Sequence, residues 1–181
     1  TSTILRTDAN LIDRNITVTS SFDSLGNALI QTQDKFVTDA ANTVVKVLHR
    51  DITNSFYSTR GDAAIQHITT TQIDGTTPTI INYQEFTNRT FDSGHNCLNQ
   101  MVLTYTDDAK SIFLDAQEIR SGNFTSSGVA QNQTIVTYSD SLKASIIDVK
   151  VIVNSGISSN GNVSTTVITR YASCGISGET I

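Results

Sequence analysis

His95-Asn96-Cys97, with Asp92 close by, is the densest grouping of reactive side chains in the chain. A cysteine next to a histidine can be drawn into its thiolate, the nucleophilic form. Nucleophilic dyads are assembled in space, however, and neighbours along an extended chain point to opposite faces. The segment therefore reads as a polar turn before a strand. Asp92, Gly94 and Asn96 offer oxygens at alternate positions, as a calcium loop does. The further acids and the closing Glu of an EF-hand are missing. A zinc site needs three or four convergent ligands. His49 and His67 lie 18 residues apart and His95 a further 28 along, so no pair has helical or hairpin spacing. Asp107-Asp108 fall in an expected turn, where Asp is favoured for turn hydrogen bonds. There is no Gly-rich phosphate loop and no nucleophile elbow. The expectation is a protein with no catalytic, cofactor-binding or metal-binding residues, and hence not an enzyme.

Three other groups of residues carry possible chemistry. Arg60-Gly61-Asp62 is the tripeptide read by integrins, an adhesion candidate, although Gly61 also reads as a helix terminator. Cys97 and Cys174 are the two cysteines. In an oxidising compartment their disulfide would close one large loop and stabilise by ~4 kcal/mol. As free thiols both would be well tolerated in a core. Five sequons begin at Asn15, Asn88, Asn123, Asn132 and Asn162, which makes these the candidate glycosylation sites. A chain this rich in Ser and Thr yields nearly as many by chance.

Composition narrows the partners. The apolar fraction is 38% and the charged fraction only 16%, so Ser, Thr, Asn and Gln make up the difference. Low hydrophobicity without high charge reads as a folded chain with a polar, weakly charged surface. Such a surface repels its neighbours little. The net charge is −5, and no stretch is basic enough to follow a phosphate backbone. Nucleic-acid binding is not expected. The longest apolar runs, such as Ser145 to Val153, are far short of the ~20 residues of a membrane span, so membrane insertion is not expected either. No signal peptide is evident, and Thr1 fits a processed chain.

The elements that position these residues are set by a change of hydrophobic period near Gly61. Before it, Leu25, Leu29, Phe36, Ala40, Val44, Val47 or Leu48, Ile52 and Phe56 fall on one face of a helical period. This predicts an amphipathic helix over about 23–60, capped by Ser21, Asp23 or Ser24 and stopped at Gly61. After it, apolar residues alternate. Ile65 to Ile73 and Thr79 to Thr87 form one expected hairpin around Asp74-Gly75, and Leu98 to Tyr105 and Ser111 to Ile119 a second. Ala144 to Val153 and Val163 to Tyr171 form a third. No internal repeat is evident. The fold class is α+β, with a long N-terminal amphipathic helix packed on an antiparallel β-sheet of about six to eight strands over 63–172. Residues 1–22 form an arm with one strand, and 23–181 a single domain. The strand of the arm, Asn15-Ile16-Thr17-Val18-Thr19, precedes every segment it could pair with locally, which suits an assembly arm exchanged between subunits.

The function expected from these features is a non-enzymatic, self-assembling structural subunit, partnered by copies of itself in an extracellular filament or appendage. The alternatives are a virion structural protein and a monomeric secreted adhesion or ligand-binding domain.

Overall fold

The computed structural model describes residues 2–5, 11–39, 41–75 and 77–173. These hold eleven β-strands and no helix. In chain order they are β1 (Ser2–Leu5), β2 (Leu11–Phe22), β3 (Ala28–Thr38), β4 (Val44–Tyr57), β5 (Ala63–Asp74) and β6 (Thr77–Phe91). They continue as β7 (Cys97–Tyr105), β8 (Phe113–Phe124), β9 (Ala130–Tyr138), β10 (Ile146–Ile157) and β11 (Val163–Tyr171). The fold is all-β, not α+β, and the expected helix over 23–60 does not exist.

Its residues form β3 and β4, joined by a turn from Asp39 to Thr43. The physical reason is turn chemistry. Asp39 Oδ1 accepts from the N–H groups of Ala41 at 2.9 Å and Thr43 at 2.8 Å. Asn42, at φ 61, takes the left-handed conformation that Asn tolerates. The β-branched residues Thr43, Val44, Val45, Val47 and Ile52 then favour an extended chain. Leu25 and Phe56, placed on the buried stripe of a helix, are 76% and 78% exposed. Gly61 ends no helix; it is the left-handed residue, φ 86, of the β4–β5 turn.

The strands fall into two compact units, Thr1–Gln84 with Tyr105–Ile112, and Glu85–Thr104 with Phe113–Ile181. Within each, strand order follows sequence order and neighbours are antiparallel. In the first unit, Asn15, Ile16, Thr17, Val18 and Thr19 stand opposite Lys35, Asp34, Gln33, Thr32 and Gln31 of β3. The arm strand thus has a hairpin partner in its own chain. Side chains reinforce this register: Gln31 Nε2 donates to Thr19 Oγ1 at 3.1 Å, and Arg50 to Gln33 Oε1 at 3.1 Å. In the second unit, Ala116, Val136, Tyr138 and Val149 form a buried cluster from β8, β9 and β10, with Leu103, Phe113 and Ile146 packed against it.

A repeat that the sequence pattern did not disclose runs through the turns. Six loops begin at Asp23, Asp39, Ser58, Asp92, Thr125 and Ser158. In each, the first N–H donates to the fifth carbonyl and the fourth N–H donates back to the first carbonyl. The first side chain is Asp, Ser or Thr, and its oxygen accepts from loop N–H groups. The fourth residue has positive φ in every case: Gly26, Asn42, Gly61, His95, Gly128 and Gly161. The loops at Asp23, Ser58, Asp92, Thr125 and Ser158 are spaced 33 to 35 residues apart, one strand pair per interval. Whole-residue identity is low across the intervals, so only the loop chemistry betrays the period.

Candidate functional site

The loop Asp92–Asn96 and the loop Thr125–Val129 lie side by side in the second unit. A Cβ added to Gly128 would stand 3.4 Å from Asn96 Oδ1. Beneath them lies an open hollow of about 490 Å³. His95, Asn96, Gln100, Ser121, Phe124 and Gln133 supply its chemistry, and Cys97 also lines it. No Asp, Glu, Lys or Arg is among the described residues that do so.

Each polar group is held from behind. Asp92 Oδ1 accepts from the N–H groups of Gly94 at 2.8 Å and Asn96 at 2.9 Å, and its carboxylate also takes the Asn96 amide. Gln100 Nε2 donates to Asn88 Oδ1 at 2.6 Å, and Gln133 Nε2 to Ser121 Oγ at 3.0 Å. These bonds use donor hydrogens of the amides, and the Oε1 atoms of Gln100 and Gln133 are not part of them. The Cys97 thiol is half-buried, with Asn88 Oδ1 at 3.6 Å and the Asn99 carbonyl at 3.4 Å.

Of the residues singled out in sequence, His95, Asn96 and Cys97 are thus brought together at one hollow. Asp92 organises their loop, which leaves its oxygens committed to backbone and amide donors. Among the described residues no three His, Cys, Asp or Glu side chains are grouped to hold a metal ion. Cys174 lies outside the described residues, so the Cys97–Cys174 pair is not placed. Asn15, Asn123, Asn132 and Asn162 are exposed, whereas Asn88 is half-buried with its amide oxygen engaged. Arg60 and Gly61 are exposed, but Asp62 is 7% exposed, and its Oδ2 accepts from Ser58 Oγ and Arg60, both at 3.1 Å. The tripeptide's carboxylate is therefore turned into its own turn.

His49 stands between two carboxylates, with Nδ1 2.5 Å from Asp34 Oδ1 and Nε2 3.2 Å from Asp51 Oδ1. Lys46 Nζ adds a third contact to Asp34 at 2.9 Å. Burial pushes the Asp34 carboxyl up, but the hydrogen bonds from His49 and Lys46 outweigh it and hold the group below its usual range. His67 is packed near Tyr83, ring centres 5.9 Å apart.

The most deeply buried ionic group among the described residues was not visible as a motif. Glu118 is 1% exposed and sits opposite Val136 in the apolar cluster. Arg89 meets it with two parallel bonds, 2.8 and 2.9 Å, and Lys143 Nζ adds a third at 2.6 Å. The arrangement can fix strand register, because the carboxylate is buried and both of its oxygens are held by cations. The signal available in sequence was a lone Glu on the inward period of a strand, Ala116-Gln117-Glu118. Gln100, Ser121, Phe124 and Gln133 offered no local signal, because they converge only through pairing.

Comparison with protein-family models, with curated proteins and with solved structures finds no match to this chain.

Proposed function

We propose that the chain is a non-enzymatic structural subunit that assembles with copies of itself by strand addition, as part of an extracellular filament or appendage. The observation that supports this reading is β11. Every residue from Val163 to Tyr171 is exposed, and among the described strands it pairs with β10 alone. It carries Val167 and Ile168 at 54% and 59% exposure and only one charge, Arg170. Sheet edges are normally blunted by lysines, prolines or bulges, because unpaired N–H and C=O groups recruit another strand. β11 has none of the first two. Its main-chain groups offer the ladder that β9, β10 and β11 already make with one another. A second copy of this chain suits that edge, since the strands of the repeat are built to pair with strands of the same kind. A chain with only 16% charged residues adds little repulsion between copies. The extracellular setting rests on the exposed sequons at Asn15, Asn123, Asn132 and Asn162.

The test is light scattering over a concentration series. The native chain is expected to grow in mass with concentration. Thr165→Lys combined with Val167→Lys places two gatekeeper charges on one face of the edge and should hold the chain monomeric. Because both side chains are exposed, each change should alter stability by less than about 0.5 kcal/mol. A native chain that stays monomeric at every concentration overturns the proposal. Pairing of β11 with β11 would close a dimer, whereas pairing with the other edge would give an open series.

A further inference from the structure

We propose that the hollow beneath the Asp92–Asn96 and Thr125–Val129 loops binds a neutral saccharide. The first observation is the lining. It presents amides from Asn96, Gln100 and Gln133, the Ser121 hydroxyl, the His95 ring and the Phe124 ring, with no charged Asp, Glu, Lys or Arg side chain among the described residues. A side-chain amide offers an acceptor and a donor side by side, which suits a pair of neighbouring hydroxyls. The two glutamine Oε1 atoms can accept from hydroxyl donors, and an aromatic ring packs against the C–H face of a sugar. An anionic ligand would lose hydration here with no opposing charge to replace it. The volume of about 490 Å³ falls within the range of small-molecule sites and accommodates one or two sugar rings.

The second observation is backbone conformation. His95 occupies, at φ 66, the position held by glycine in four sister loops, Gly26, Gly61, Gly128 and Gly161, and by Asn42 in the fifth. A side chain is disfavoured in that left-handed conformation. In this loop the glycine sits one place earlier, at Gly94, and the disfavoured position carries a histidine that lines the hollow. The left-handed backbone at this position places the His95 side chain in the lining of the hollow.

The experiment is a nuclear magnetic resonance titration of the full chain with maltose, cellobiose, lactose and N,N′-diacetylchitobiose, with glucuronate as the charged comparator. At least one neutral disaccharide is expected to shift the side-chain amide signals of Asn96, Gln100 and Gln133 in a saturable way, with a dissociation constant of about 1 mM. Gln133→Ala should weaken that binding by about tenfold, the value of one well-made hydrogen bond. His95→Gly should weaken it as well, while the thermal midpoint stays level or rises, because glycine suits the turn. That pairing separates lost recognition from lost folding. Absence of saturable shifts with all four neutral sugars overturns the proposal. So does glucuronate binding as tightly as the best neutral sugar, or unchanged affinity in both variants.

Discussion

Glu118→Ala is expected to lower the stability of the chain by about 3–5 kcal/mol, the range for breaking a buried ion pair from one side. The carboxylate is 1% exposed, and its removal leaves Arg89 and Lys143 facing an apolar cluster. Both cations keep about a third of their side chains in water, 33% each, which places the loss towards the lower end of that range. Replacing all three together, Glu118→Leu with Arg89→Met and Lys143→Met, should recover most of the loss, because no charge of the group then lacks a partner. Chemical denaturation checks both, and a loss below about 1 kcal/mol for Glu118→Ala contradicts the assignment.

The same group sets an acid limit. Burial pushes the Glu118 carboxyl up, but the hydrogen bonds and charges of Arg89 and Lys143 outweigh it, and the group lies below its ordinary value of 4.5. A carboxyl with a depressed folded-state value contributes stability that is complete above the unfolded value. That contribution is lost as pH falls through the folded value. Stability should therefore decline on acidification below pH 4.5, and Glu118→Gln should decline less steeply over the same interval. Asp23, Asp107 and Asp140 are also held below their usual range. The leading causes are hydrogen bonds from the Asn27 side chain, from the Ser111 N–H and from the Ala144 N–H respectively. Their shared effect persists in the variant, so the difference between the two curves isolates Glu118.

Tyr138→Ala is the second large effect. Tyr138 lies in β9 within the cluster of Ala116, Val136 and Val149, opposite Ala116 on one side and Ile146 on the other. Removing a buried aromatic ring costs about 3–5 kcal/mol through lost transfer energy and the cavity left behind. Phe56→Ala makes the contrast. Phe56 is as apolar but 78% exposed, so its truncation should change stability by less than about 0.5 kcal/mol. On a helix over 23–60 that ring would have been buried and the ranking reversed. Urea titrations of the two variants check the ranking, and equal losses would contradict the placement of Phe56.

Local chemistry alone determined much of the chain beyond Gly61. Alternation over Ile65 to Ile73, Leu98 to Tyr105 and Val163 to Tyr171 marks β5, β7 and β11, because a strand shows its period of two to any reader. The turn at Asp74-Gly75 is legible for the same reason, since its residues carry their own conformational preference. Residues 23–60 carry a false helical signal, because Leu25, Leu29, Phe36, Val44, Ile52 and Phe56 fit a helical period by accident. Only hairpin pairing, sealed by Asp39 and Asn42, decided against it. The sequence also pointed to His95, Asn96 and Cys97 as unusual neighbours. It was silent on Gln100, Ser121, Phe124 and Gln133, and on the partners of Glu118, which lie 29 and 25 residues away. Those distances are closed by strand register. Register depends on the summed pairing of whole strands, which no single stretch of residues encodes.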